Sequence, residues 1–289
     1  MTLQTTLLLD GLGFPEGPRW HDGKLWFSDF VMKKIMTVDL EGTVETIAEV
    51  PCQPSGLGWL PDQTLLVVSM ADRRLLRLHN GTLSEFADLS GLASSYCNDM
   101  VVDQSGRAYI GNFGSPLFEQ PYRPAEIVLV TPNGEARVVA EDMAFPNGSV
   151  ITPDGKTLIV GETLAARLTA FDIESDGSLS HRRVWAEFDN LGLLSRRAEI
   201  TNRITPDGIC LDAEGAVWVA SPNAHSELIR VREGGEITHR FKLEHTPFAC
   251  MLGGPDRLTL FVLTSSMYER DRAGRIETIR VDVPGAGLP

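Results

Sequence analysis

Cysteine is scarce in this 289-residue chain, and its four copies, Cys52, Cys97, Cys210 and Cys250, stand far apart with no CxxC pair among them. That spacing suggests neither a disulfide framework nor a thiolate zinc site. Cys210 and Cys250 fall in strand-like apolar runs and read as core residues. Positive charge is also in deficit, since 26 Lys and Arg against 39 Asp and Glu leave a formal charge of −13. Such a balance repels phosphate backbones and offers no basic patch, so neither nucleic acid nor an anionic membrane surface is expected as a partner. Long apolar runs are missing. The amino-terminal stretch MTLQTTLLLDGL carries no basic leader, and its apolar part is too short to span a bilayer. A cytoplasmic location is the expectation. Neither a GxSxG elbow nor an HExxH helix is written anywhere, which leaves serine-hydrolase and zinc-protease mechanisms without an anchor. No stretch shows a helical period with caps.

What the chain has in place of these is repetition. FPNGSVITPDGKTLIVGET, beginning at Phe145, reads as a polar residue, a short apolar strand, a Pro-Asp-Gly turn and a second apolar strand, which is a tight hairpin. The same pattern opens at Glu16 (EGPRWHDGKLWFSD), Ser55 (SGLGWLPDQTLLVVS), Asn98 (NDMVVDQSGRAYIGN), Asp207 (DGICLDAEGAVWVAS) and Phe248 (FACMLGGPDRLTLFVL). An outer strand pair follows each hairpin, as RLTAFDIE and SHRRVWAEF do in the fourth unit, with glycine at the turns where positive φ is needed. Six units of roughly 46 residues predict an all-β, six-bladed β-propeller with four-stranded antiparallel blades. It is read as one domain spanning residues 1–289. The last unit is one strand short, whereas residues 3–9 form a spare strand ahead of the first, so the N-terminal strand is expected to close the ring.

Strand parity converts this fold into a site. If each innermost strand starts at the same face, its opening residue rings the mouth of the central channel, which brings together Glu16, Ser55, Asn98, Asn147, Asp207 and Phe248. Two carboxylates and two carboxamides make a hard-oxygen donor set that suits Ca²⁺, with Zn²⁺, Mg²⁺ or Mn²⁺ also accommodated. Asx and Ser are frequent turn formers at strand ends as well. Their coincidence at one structural slot is the argument for a metal. Three irregular segments, residues 114–124, 189–206 and 265–273, gather at the same face and read as pocket walls. Phe113, Phe118, Tyr122, Leu193 and Leu194 are candidates for an apolar lining.

Four segments in order, FPEGPRW, CNDMVVDQSGRAYIGN, FPNGSVITPDGKTLIVGET and ITPDGICLDAEGAVWVAS, resemble the senescence-marker-protein (regucalcin)/gluconolactonase family, which also includes luciferin-regenerating enzymes. The resemblance covers essentially the whole chain and implies a six-bladed propeller that holds one divalent cation and hydrolyses lactones. It implies Glu16, Asn147 and Asp207 as metal ligands, Asn98 as a further ligand directly or through water, and Asp99 as a substrate-side or acid/base residue. Tyr96, Asn98, Asp99 and Phe113 are the expected substrate contacts. Members acting on sugar lactones commonly carry Arg two residues before the Asn98 position, where this chain has Tyr96. The implied mechanism polarises a lactone or ester carbonyl at the metal while Asp207 or Asp99 accepts a proton from the attacking water. A metal-dependent phosphotriesterase, of the diisopropyl-fluorophosphatase kind, or arylesterase on the same scaffold and a non-catalytic calcium-binding propeller are the alternatives.

Overall fold

In the computed structural model, which describes residues 5–116, 122–189, 202–266 and 272–286, six sheets of four strands each form the blades of a β-propeller. The innermost strands are Pro15–His21, Pro54–Trp59, Cys97–Val102, Pro146–Ile151, Ile209–Leu211 and Thr246–Gly253. Each pairs antiparallel with the strand that follows it, and the outer pair then runs away from the axis. The sixth blade borrows its outer strand from the other end of the chain: Thr6–Leu12 pairs antiparallel with Gly274–Arg280, with Leu9 opposite Ile276. This strand runs on to Leu12, three residues beyond the expected span, because two register shifts and a positive φ at Gly11 carry the pairing through the glycine. Thr163–Ala165 is the one 3₁₀ turn among the described residues, and none of their helices is long and apolar enough to cross a membrane.

Burial explains why the second strands lack alternation. LLVVS, AYIGN and VWVAS are buried at every position because blade faces pack against blade faces on both sides. Leu66 and Val68 of the second blade, for example, share a core with Met100 and Ile110 of the third. The outermost strands face water and are largely exposed, as in VETIAE.

A bulge recurs at the mouth. The innermost strands shift register between Glu16 and Arg19, Pro54 and Leu57, Cys97 and Met100, Pro146 and Ser149, and Pro247 and Ala249. A small residue next to the opening residue lets neighbouring blades touch there. A Cβ on Gly56 would lie 2.4 Å from the Met100 nitrogen, and one on Gly148 would lie 2.5 Å from the Asp207 carbonyl oxygen. Backbone hydrogen bonds then stitch blade to blade, from Gly148 N to Asp207 O at 3.1 Å and from Gly208 N to Phe248 O at 2.7 Å.

At the opposite end the hairpin turns are held by carboxylates. Asp103 accepts from Ser105 N and Arg107 N, both at 2.9 Å, and Asp212 accepts from Glu214 N and Ala216 N at 2.9 and 3.0 Å. Residues 284–286 are held at this end, with Ala213 N donating to Pro284 O at 2.8 Å and Ala286 N to Leu211 O at 3.0 Å.

Candidate active site

The bulges re-aim the opening residues: Ser55, Asn98 and Asn147 are joined by hydrogen bonds, and Glu16 lies near enough to Asp207 to be repelled by it. A directional chain of hydrogen bonds links four of the blades. Ser55 Oγ donates to Asn98 Oδ1 (3.4 Å), Asn98 Nδ2 to Asn147 Oδ1 (3.0 Å), Asn147 Nδ2 to Thr163 Oγ1 (3.2 Å), and Thr163 Oγ1 to Pro206 O (2.7 Å). This relay fixes which end of each carboxamide is oxygen, and each of those oxygens keeps a second lone pair. Asn98 and Asn147 are buried, whereas Glu16 and Asp207 are half-buried and reach the opening. Phe248 fills the sixth position and packs on Phe14 with ring centroids 4.5 Å apart.

Burial and mutual repulsion both press on the site's carboxylates. Burial, followed by repulsion from Asp207, holds Glu16 well above the ordinary carboxylate range, opposed only by a hydrogen bond from Gly17 N. Burial pushes Asp207 up to about 8; a hydrogen bond from Asn147 opposes this and the charge of Asp99 adds to it. Asp99 is raised by burial too, against the pull of Arg19. Among the described residues no group of three or more His, Cys, Asp and Glu side chains is arranged as a metal site. The donor set on offer is mixed, two carboxylates with two pre-oriented carboxamide oxygens, and their close acidic charges are the kind that a divalent cation relieves. The residues fit such an ion.

Asp99 does not point into this set. Its Oδ1 accepts from Met100 N at 2.8 Å and from Arg19 Nη2 at 3.1 Å. Arg19 and Thr163 are the site-shaping residues that reading the sequence missed. Thr163 had a signal, since it ends the hairpin that Asn147 begins.

Aromatic side chains line the mouth. Tyr96 is exposed, and its ring lies 6.4 Å from that of Phe113, which meets Phe145 edge to face at 4.7 Å. Phe14 stacks on Phe30 at 5.5 Å on the other side. Phe145 adopts a positive φ of 60°, as does Gln53 at 70°, a strained geometry for side chains ahead of proline. Tyr122 packs beside Ala144, Leu164 and Ala165. Phe118, Leu193 and Leu194 lie outside the described residues.

A six-bladed propeller with an oxygen-donor ring at one mouth defines a class of protein, and comparison with known sequences makes the class specific. A family model described as the SMP-30/gluconolactonase/LRE-like region matches residues 14–266, and the chain belongs to that family. It is 24% identical over 276 residues to a pentonolactonase of Haloferax volcanii, covering 94% of this chain and 88% of the relative. It is 25% identical over 252 residues to the diisopropyl-fluorophosphatase of Loligo vulgaris, covering 79% and 76%. Among solved structures, a calcium-binding protein, regucalcin, from Agrobacterium tumefaciens superposes with a TM-score of 0.80 at 22% identity, over 100% of this chain and 97% of that one.

Proposed function

We propose that the protein is a divalent-metal-dependent hydrolase that opens a small lactone by attack of water on the carbonyl. The observation that carries this reading is the relay from Ser55 to Pro206 that pre-orients Asn98 and Asn147, with Glu16 and Asp207 near enough to repel each other and Asp207 in reach of Asn147. Glu16, Asn147 and Asp207 would hold the cation, Ca²⁺ first, with Asn98 joining directly or through water. Bound there, the ion would supply Lewis-acid polarisation of the carbonyl. Asp207 would accept the proton of the attacking water, since Asp99 is turned toward Arg19 and Met100 N, and the Tyr96–Phe113–Phe145 wall would seat the substrate. Membership of a lactonase-containing family and the Haloferax pentonolactonase support the reaction class.

Substrate preference follows from the wall. A tyrosine presents one hydroxyl and a large apolar ring where an arginine would present several donors to a polyhydroxylated lactone. We therefore expect an alkyl- or aryl-substituted lactone to be preferred. The similarity to a diisopropyl-fluorophosphatase gives a specific reason to test phosphotriester hydrolysis as the second reading. The decisive experiment assays gluconolactone, dihydrocoumarin and diisopropyl fluorophosphate with metal-stripped and Ca²⁺-restored protein. Metal-dependent kcat/KM highest for dihydrocoumarin, and moving toward gluconolactone in Tyr96→Arg, is the expected outcome. Turnover of the phosphofluoridate alone selects the second reading, and Ca²⁺ uptake with no turnover makes the protein a binding propeller.

A further inference from the structure

The six blades repeat their sequence closely at the mouth, so departures from the repeat are informative. One residue past each ring position the chain writes Gly17, Gly56, Asp99, Gly148, Gly208 and Ala249. Five of these are small, as the tight approach of neighbouring strands demands. Three residues past the ring it writes Arg19, Gly58, Val101, Val150, Cys210 and Met251. Five of these are apolar or glycine, as befits a channel walled by packed strands. The two exceptions, Asp99 and Arg19, come from blades that are not neighbours, and they touch. Arg19 is 4% exposed, and its Nη2 reaches from the first blade to Asp99 Oδ1 at 3.1 Å and to Met100 O in the third. Its Nη1 is anchored on Pro18 O at 2.7 Å. With the second blade standing between them, the side chain crosses the channel beneath the ring, where it lines a cavity of about 20 Å³ together with Ser149, Cys210 and Met251.

A guanidinium is costly to bury, and nothing in the packing of an apolar channel calls for one. Its position answers an electrostatic need, because three mutually repelling carboxylates close to one mouth exceed what one divalent cation compensates. We propose that Arg19 is the resident counter-charge of the site: it neutralises Asp99 and draws that carboxylate below the ring, leaving Glu16 and Asp207 as the two uncompensated charges presented to a divalent cation. The inference rests on the reading that the ring holds such an ion. It makes Arg19 a positioning residue and keeps Asp99 out of the metal's own shell.

Calorimetric titration of the full-length, metal-stripped protein with CaCl₂ tests it without recourse to any substrate. Arg19→Met uncovers a third negative charge and is expected to tighten Ca²⁺ binding about 10-fold, whereas Asp99→Asn leaves Arg19 unopposed and weakens it about 10-fold. The variant carrying both changes returns to within about threefold of wild type, and Arg19→Lys, which keeps the charge, stays near wild type. If Arg19 only braces the channel, Arg19→Met weakens binding or leaves it unchanged and Arg19→Lys follows it; either result overturns the proposal. Should Arg19→Met fail to fold, undiminished affinity in Asp99→Asn overturns it as well. A wild type that takes up no Ca²⁺ removes both this inference and the metal reading, while normal uptake with unmoved variants removes the inference alone.

Discussion

On the proposed reading, Glu16 and Asp207 are the residues through which the site responds to both metal and pH. Glu16→Gln and Asp207→Asn each remove a full charge from a set with few others, so each is expected to weaken divalent binding by at least about 10-fold in a calorimetric titration. Unchanged affinity in both variants would remove the axial site. In the metal-free protein both carboxylates have folded-state pKa values raised, chiefly by burial. The native state therefore holds protons that the unfolded chain has already released, and the stability they contribute is lost as pH rises from the ordinary carboxylate range through about 8 for Asp207. The melting temperature of metal-free protein should fall across this window, and saturating Ca²⁺ should flatten the slope. A metal-free curve with no slope would mean that these groups are solvated. The ring residues were legible in the sequence because each opens a hairpin of similar length, with the turn glycine eight residues after Asn98, Asn147 and Asp207 and seven after Glu16. Arg19 was not, because simple alternation from Glu16 turns it away from the axis, and only the bulge between them returns it.

The hairpin is the unit that makes the blade, and its turn is where a single change should cost most. Arg230 Nε lies 2.6 Å from Asp212 Oδ2, with both side chains buried, while the other oxygen of Asp212 holds the turn of the fifth blade. Arg230→Met strands that carboxylate and is expected to destabilise the fold by roughly 3 kcal/mol, a fall of roughly 6 °C in melting temperature by calorimetry. A shift below about 1 °C would mean that solvent reaches Asp212. Turn glycines such as Gly106, Gly155 and Gly215 announced these hairpins, since all three take positive φ. The bulges at the mouth were announced less openly. The recurrent proline ahead of the ring residue and glycine after it were their only trace, and proline and glycine inside a strand mark such irregularities without saying which way the next side chain turns.

At the scale of the molecule, the ring is closed by one antiparallel pairing between the two ends of the chain. Deleting residues 2–9 removes most of that strand and bares the edge of Gly274–Arg280, so the truncated protein should aggregate or melt at least about 10 °C earlier, read by scanning fluorimetry with light scattering. A soluble truncation with an unshifted transition would place closure elsewhere. Closure was foreseeable from a count of strands, one too few at the end and one to spare at the start. The segment 284–286 was not foreseeable, for it has no counterpart in the repeat. It sits at the end away from the ring, tied to Leu211 and Ala213, and Gly285 and Ala286 line the small cavity there together with Arg19. On the proposed reading a neutral lactone would enter and a hydroxy-acid anion would leave past a cation that offsets Glu16 and Asp207, so the ion that draws the carbonyl in would also hold the product's carboxylate back.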